Sequence, residues 1–178
     1  MEREEWLWKS GVACEYLMGL EEVRRATRIH CYVSMERERE LATSGILAWL
    51  CSERKAVFMP YIDQGRMMVA RYLAGHRFRS RESGPPAPEP LIIDDEKRFD
   101  AVIVPVVGAD LNGGRLGYGK GWYDRFFESL AAVGQRPLRI GLCFGFQIVT
   151  EVPLDPWDQS LDVVVTENGI FNCVSGRI

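Results

Sequence analysis

The clearest chemical feature of the sequence is a glycine-rich segment at residues 113–124, GGRLGYGKGWYD. Five of its first nine residues are glycines, and Arg115 and Lys120 stand among them. Glycines give the backbone more conformational freedom than other residues, so fixing this segment in one conformation costs much entropy. Such a segment usually occurs where backbone amides must approach a ligand closely. Two mobile positive charges beside such amides favour an anionic ligand, above all a phosphate.

A buried strand and a helix flank this segment. Residues 100–107 contain the run VIVPVV, which is typical of a strand covered on both faces, and a helix is predicted from about residue 122 to 133. The helix start adds the positive end of a dipole. A tight surface turn with incidental charges is the alternative, but the coincidence of strand, glycines, cations and helix start favours a phosphate site.

Two common nucleotide motifs do not fit this segment. Residues 114–120 match the first seven positions of a P-loop, G-x-x-x-x-G-K, but Gly121 stands where the motif requires Ser or Thr to hold magnesium. The dinucleotide fingerprint G-x-G-x-x-G fails because Trp122 occupies its last position. A P-loop NTPase and a dinucleotide-binding enzyme are therefore both disfavoured.

Asp124 lies at the helix start, where an acid is stabilised whatever its function.

Hydrophobic periodicity predicts alternating helices and strands along the rest of the chain. The predicted elements are a helix at 12–26, a strand at 29–33, a helix at 35–51 capped by Ser34, strands at 56–59 and 66–73, a proline-rich loop at 80–90, and strands at 139–144 and 161–166. Strands that alternate with helices indicate βαβ units, so the pattern predicts an α/β fold with a mostly parallel sheet.

Length and composition set the class of protein. The 178 residues predict a single domain spanning 1–178. A net charge of -3 gives no global attraction to nucleic acid, the apolar runs are too short to span a membrane, and the acidic N-terminus is no secretion signal. Two histidines and five cysteines without a C-x-x-C pair disfavour a metal cluster and indicate reduced thiols. We therefore expect a cytoplasmic protein with no nucleic-acid or membrane partner.

Residues 105–125, PVVGADLNGGRLGYGKGWYDR, resemble the signature of the 5-formyltetrahydrofolate cyclo-ligases, also called methenyltetrahydrofolate synthetases. Weaker similarity at residues 40–43, 55–60, 89–90, 141–147 and 158–167 extends the resemblance over about residues 29–170. The family's basic N-terminal helix, of the form K-x-x-[LM]-R, has no counterpart here. Residues 1–28 are therefore expected to be a divergent or shortened N-terminal segment.

The resemblance implies a three-layer α/β domain with helices on both faces of a mostly parallel sheet, as in sugar-phosphate isomerases and CoA transferases. It implies an ATP- and Mg²⁺-dependent ligase that converts 5-formyltetrahydrofolate into 5,10-methenyltetrahydrofolate and releases ADP and phosphate. ATP would phosphorylate the formyl oxygen and N10 would then attack the formyl carbon. The alternative is a catalytically weakened relative that serves as a nucleotide- or folate-binding protein.

The resemblance also implies roles for individual residues. Arg115 and Lys120 would be catalytic, and Asp124 and Asp158 would hold Mg²⁺. ATP would contact Arg115, Leu116, Gly117, Tyr118, Gly119, Lys120, Gly121, Trp122 and Tyr123. The folate would contact Glu40, Tyr118, Gly119, Lys120, Gly121 and Trp122. Without the family context, a solvated glutamate on a helix face is the simpler interpretation of Glu40.

Five arginines lie between Arg66 and Arg81, with Tyr72 and Phe78 among them. The charge of a folate polyglutamate tail would suit them, and arginines interleaved with aromatics also suit single-stranded nucleic acid. Because the whole chain is acidic, a solvated and partly salt-bridged surface is the favoured interpretation. The partners expected are small molecules, 5-formyltetrahydrofolate and ATP, with the protein a monomer or a homodimer.

Overall fold

A computed structural model describes residues 1–81 and 84–173 of the chain. Its α-helices are α1 (Arg3–Gly19), α2 (Glu21–Arg25), α3 (Ser44–Ser52) and α4 (Trp122–Ala131). Its strands are β1 (Arg28–Cys31), β2 (Ala56–Asp63), β3 (Arg66–Tyr72), β4 (Arg77–Arg79), β5 (Ala87–Glu89), β6 (Ile93–Asp94), β7 (Ala101–Pro105), β8 (Gly108–Ala109), β9 (Arg115–Leu116), β10 (Leu138–Leu142), β11 (Val163–Thr166) and β12 (Gly169–Asn172).

A central sheet of eight strands has the order β12-β11-β10-β7-β1-β2-β3-β6 in the described residues. The five strands from β11 to β2 in this order run parallel, while β12 pairs antiparallel at one edge and β3 and β6 at the other. The sheet is therefore mostly parallel, as predicted.

Side chains alternate between two hydrophobic clusters, one on each face of the sheet. On β1 and β7, Ile29, Cys31 and Ile103 pack in the cluster that holds α1, α2 and α3. Val102 and Val104 of β7 pack in the other cluster, together with Phe126 and Phe127 of α4. Helices thus cover both faces, which explains the near-continuous apolar runs of the parallel strands and confirms the α/β fold class.

The helix predicted at 35–51 is wrong. Its first part is a single 3₁₀ turn at Glu36–Glu38, ended by Arg39 in the left-handed conformation, and helix α3 begins only at Ser44. Ser34 does not cap a helix, because it and Thr43 exchange hydrogen bonds: each backbone N–H donates to the other's hydroxyl, at 3.1 and 3.2 Å. These bonds, together with one from the backbone N of Met35 to Glu40, draw the segment into a loop instead.

Other elements also differ from their predicted bounds, and the N-terminal helix and the proline-rich loop differ most. The helix predicted at 12–26 begins at Arg3 and is interrupted at Leu20, whose backbone is extended. The loop predicted at 80–90 contains strand β5, which pairs with β4 in a separate two-stranded sheet; Glu82 and Ser83 of that loop lie outside the described residues. Strand β12 was not predicted from the sequence.

No helix in the described part of the chain is both long enough and apolar enough to cross a membrane.

His30 on β1 is fully buried beneath α4, among the rings of Phe99, Tyr123 and Phe126. Neither ring nitrogen has a hydrogen-bond partner among the described residues. Burial lowers the pKa of His30 from 6.5 to about 3. The folded protein therefore excludes a proton that the unfolded chain binds below pH ~6.5, so acid shifts the equilibrium toward unfolding.

We expect the wild type to lose about 1.4 kcal/mol of unfolding free energy through His30 for each pH unit below ~6.5, until about pH 3. The His30→Leu variant lacks this proton uptake, and it also removes a polar ring without partners, so it should be as stable as wild type at pH 7. Urea unfolding of both proteins at about pH 7 and pH 5 tests this. If wild type and His30→Leu lost the same unfolding free energy between the two pH values, the prediction would be contradicted.

Candidate active site

A cavity of about 500 Å³ opens at the carboxyl edge of the parallel strands, where open α/β sheets place ligands. Tyr32 and Val33 follow β1 into its wall, Pro60 and Ile62 come from the end of β2, and Pro105 ends β7. The remaining wall comes from the loop between β7 and α4, the start of α4, Met35, Glu40, Met67, Pro85, and the segment Pro153, Asp155, Trp157 and Asp158.

The loop between β7 and α4 is held by the buried carboxyl group of Asp110. Its Oδ1 accepts hydrogen bonds from the backbone N of Asn112 at 2.8 Å and of Gly114 at 2.9 Å. Its Oδ2 accepts one from the backbone N of Val152 at 2.7 Å. Asp110 therefore fixes the turn between β8 and β9 and ties it to the segment that carries Asp155 and Asp158.

Gly114 is required by this arrangement rather than by a ligand. A Cβ at position 114 would lie 2.5 Å from Oδ2 of Asp110 and 2.9 Å from Cβ of Val152. Gly114 is therefore needed for close packing inside the loop. Gly121, at the N-terminus of α4, has a left-handed φ of 60° and provides no side-chain cap for the helix.

Arg115 leaves β9 beneath the loop and pairs with Asp124 in the first turn of α4. Its Nη2 lies 3.0 Å from Oδ1 and 3.1 Å from Oδ2 of Asp124, and the two side chains are only 7% and 15% exposed. The guanidinium also faces the ring of Tyr123, 5.8 Å from its centroid, while Nε is buried without a partner in the described residues. Sequence reasoning assigned both residues to ligands but did not predict this pair.

Lys120 lies at the rim of the cavity with an exposed side chain. Its ammonium has no ion pair in the described part of the chain, but its carbonyl oxygen accepts a hydrogen bond from Nη2 of Arg125 at 2.9 Å. The backbone at Lys120 is therefore fixed while its side chain remains available to a ligand.

Glu40 lines the cavity next to Tyr118 of the glycine-rich loop. Its Oε2 accepts a hydrogen bond from the backbone N of Met35 at 2.6 Å, and the Tyr118 side chain lies close enough to interact with the same carboxyl group. Burial raises the pKa of Glu40, and burial together with the Glu40 charge raises the pKa of Tyr118. Glu40 is thus a partly buried acceptor facing the cavity, and the solvated helix-face interpretation does not describe its position.

Asp124 and Asp158 present two carboxyl groups to the cavity. One oxygen of Asp158 accepts a hydrogen bond from the backbone N of Asp155 at 2.8 Å, and Asp124 accepts one from the backbone N of Gln159 besides its bonds to Arg115. No cluster of three or more His, Cys, Asp or Glu occurs in residues 1–81 and 84–173. Mg²⁺ commonly takes one or two carboxylates together with substrate phosphates and waters, so this donor set fits it.

The cavity brings together every residue that the sequence assigned to a site: Glu40, Arg115, Leu116, Gly117, Tyr118, Gly119, Lys120, Gly121, Trp122, Tyr123, Asp124 and Asp158. Sequence reasoning missed the opposite apolar wall, including Tyr32, Ile62 and Met67. These are ordinary core residue types, and only Tyr32 carried a signal, its position at the end of a predicted parallel strand.

A model of the 5-formyltetrahydrofolate cyclo-ligase family matches residues 1–167. The 5-formyltetrahydrofolate cyclo-ligase of Saccharomyces cerevisiae is 32% identical over 163 residues, which cover 80% of this chain and 76% of the yeast protein. The solved structure of Aquifex aeolicus 5,10-methenyltetrahydrofolate synthetase superposes with a TM-score of 0.82 at 25% identity, covering 100% of this chain and 88% of that one.

The corresponding enzyme of Mycoplasma pneumoniae has a TM-score of 0.71 at 19% identity, covers 94% of this chain and 90% of that one, and supports the fold alone. The family match spans most of the sequence, and the yeast relative is similar over most of both chains. The chain therefore belongs to the 5-formyltetrahydrofolate cyclo-ligase family.

Proposed function

We propose that this protein converts 5-formyltetrahydrofolate to 5,10-methenyltetrahydrofolate at the expense of ATP, with release of ADP and phosphate. The observation that carries the proposal is the single cavity at the carboxyl edge, which gathers Glu40, Arg115, Lys120 and Asp124 in a chain of this family. Glu40 offers a carboxyl acceptor to ring N–H donors of the pterin, while the loop offers cations and amides to the triphosphate.

The first step is transfer of the γ-phosphoryl group from ATP to the formyl oxygen. The oxygen–phosphorus bond to the formyl group forms as the bond to ADP breaks, and negative charge spreads over the transferring oxygens. Lys120 is free to contact those oxygens, and the buried Nε of Arg115 has a donor without a partner in the described residues. These groups stabilise the charge where it develops.

The second step closes the ring. The lone pair of N10 attacks the formyl carbon, a carbon–nitrogen bond forms, N10 loses its proton, and inorganic phosphate leaves with the electrons of the carbon–oxygen bond. The product is the 5,10-methenyl cation. A partly enclosed cavity favours this outcome because water, the competing nucleophile, is restricted.

Mg²⁺ would be held by Asp124 and Asp158 with the phosphate oxygens, and when bound it would neutralise phosphate charge. Arg115 holds Asp124 in place in the structure described here. A cytoplasmic location completes the proposal, because all five cysteines are free, as is usual in a reducing compartment. The partners proposed are small molecules, ATP and 5-formyltetrahydrofolate, and the protein is proposed to be a monomer or a homodimer.

The alternative, a relative that binds nucleotide or folate without turnover, is not favoured by the comparisons, because the curated relatives are named as cyclo-ligases. The proposal is tested by mixing the protein with ATP, Mg²⁺ and 5-formyltetrahydrofolate and following the absorbance of the methenyl product. Product should form only when all three are present, and a chelator should stop it. Tight folate binding without any ATP-dependent product would support the alternative instead.

A further inference from the structure

A second cavity, of about 420 Å³, lies beside the active-site cavity. Its walls come from the start of α1, the loop after β1, the first turn of α3, and the segment around β4 and the proline-rich loop. Val33 and Met35 line both cavities, and Pro85 lines the first while Pro86 lines the second. The two cavities are therefore neighbours, separated by no more than the residues that they share.

The walls of the second cavity combine apolar groups with positive charge. Leu7, Met35 and Phe78 supply aromatic and aliphatic surface, and the buried Trp6 lies behind them. Two arginines, Arg37 and Arg81, line the same cavity, and Glu36 is the acidic residue among the described lining residues. This chemistry suits an aromatic group that carries carboxylates.

Both arginines retain donors for such a ligand. Arg37 pairs with Glu38 at 3.2 Å, but both side chains are largely exposed, and an exposed pair of this kind is weak and easily exchanged. Arg81 is held more firmly, because Nη1 donates to the carbonyl of Ile62 and the guanidinium lies 4.6 Å from the centroid of the Tyr61 ring. A guanidinium has about five N–H donors, so most of those on Arg81 remain available.

We propose that the second cavity binds the p-aminobenzoyl-glutamate end of the folate, with Arg37 and Arg81 as the ligands of its carboxylates. The proposal rests on the proposed function, which places the pterin at Glu40 in the first cavity. A folate is elongated, with an N–H-rich ring at one end and carboxylates at the other. The two cavities have the matching order, a carboxyl acceptor in the first and arginines in the second.

This assignment changes the interpretation of the arginine-rich stretch between Arg66 and Arg81. Only Arg81 of these five arginines lines the second cavity, whereas Arg71 faces Asp94 at 3.9 Å and covers Phe58. Most of the stretch is therefore the solvated surface that the sequence suggested, and Arg37, which lies outside it, supplies the other charge.

The decisive experiment measures binding of p-aminobenzoyl-triglutamate, which lacks the pterin, by calorimetry. Wild type should bind it, and Arg37→Ala/Arg81→Ala should weaken binding at least tenfold. Arg77→Ala/Arg79→Ala is the matched control, since it removes two exposed arginines of β4 that do not line the cavity. Equal weakening in both double variants, or no binding to wild type at millimolar concentration, would overturn the proposal.

Arg81 also stabilises its surroundings, so the single variants Arg37→Ala and Arg79→Ala are compared as well. The exposed Arg37 should alone weaken binding several-fold, and Arg79→Ala should leave it unchanged. An unchanged affinity in a folded Arg37→Ala protein would remove Arg37 from the proposed site.

Steady-state kinetics with two substrates distinguish failure of this inference from failure of the proposed function. With 5-formyltetrahydrofolate as the mono- and triglutamate, the Arg37→Ala/Arg81→Ala variant should raise the KM of the triglutamate more than that of the monoglutamate. If wild type turns over neither substrate, the proposed function fails, while calorimetry still decides the cavity assignment. If wild type turns over both and calorimetry finds no effect of the arginines, only the cavity assignment fails.

Discussion

Replacing Lys120 by alanine is expected to lower turnover about 10²–10³-fold while leaving the protein folded. The ammonium of Lys120 is exposed at the cavity rim and has no ion pair in the described residues, so its removal costs the folded state little. In the reaction, however, it would face oxygens whose negative charge develops during phosphoryl transfer. Loss of a group that acts there reduces kcat rather than only raising KM.

Lys97→Ala is the matched control for this experiment. Lys97 is also exposed and lies outside both cavities, so its replacement should leave kcat and KM unchanged. Steady-state kinetics with ATP and 5-formyltetrahydrofolate, and a urea unfolding curve for each variant, provide the readouts. Full activity in Lys120→Ala would show that the loop lysine does not act on the phosphates, even if the protein is a cyclo-ligase.

The glycine-rich loop could be located from sequence because its signals are local. The apolar run of β7, the five glycines and the polar start of α4 are all contained in residues 101–131. Strand β7 and helix α4 form close to their predicted bounds, whereas the β8–β9 hairpin between them was not predicted. The carboxyl-edge position of the cavity followed from the parallel sheet, which the Val- and Ile-rich strands indicated. Local pattern and sheet topology were thus sufficient to place the loop at a ligand site, whereas the placement of Glu40 there came only from the family resemblance.

The segment after β1 could not be predicted in the same way, because contacts remote in sequence decide its structure. The hydroxyl of Tyr32 donates to the carbonyl of Leu41 at 2.8 Å, and Nε1 of Trp6 donates to the carbonyl of Glu40 at 2.8 Å. The backbone N of Ala42 donates to the hydroxyl of Ser10 at 3.1 Å. These bonds occupy backbone groups that a helix would need. The helical spacing of Ile46 and Leu50 is realised in α3, but its extension back to Leu41 was misleading.

The Arg115–Asp124 pair was also beyond sequence reasoning. Each residue has a plausible separate role, and nothing in their spacing of nine residues indicates contact. The contact arises because the β8–β9 hairpin returns Arg115 beneath the first turn of α4. The hairpin in turn depends on Asp110, to which the sequence assigned no role of its own.

Asp110→Ala is therefore expected to have the largest effect on stability of any single substitution in the loop. The alanine would leave the backbone N–H groups of Asn112, Gly114 and Val152 without the acceptors that they have at 2.7 to 2.9 Å. A buried donor without a partner costs about 1–3 kcal/mol, so the sum is about 3–6 kcal/mol after partial relaxation. We expect the thermal midpoint to fall by about 6–20 °C.

Asp110→Asn and Asp95→Ala are the variants with which the loss of stability in Asp110→Ala is compared. The asparagine keeps one carbonyl oxygen for Asn112 and Gly114, but its amide group would meet the N–H of Val152, so an intermediate loss is expected. Asp95 is exposed and outside both cavities, and its replacement should change stability by less than about 0.5 kcal/mol. Thermal and urea unfolding of the three variants measure the order. If Asp110→Ala were as stable as Asp95→Ala, Asp110 would not be what holds the loop, and the positions of Arg115 and Lys120 would need another cause.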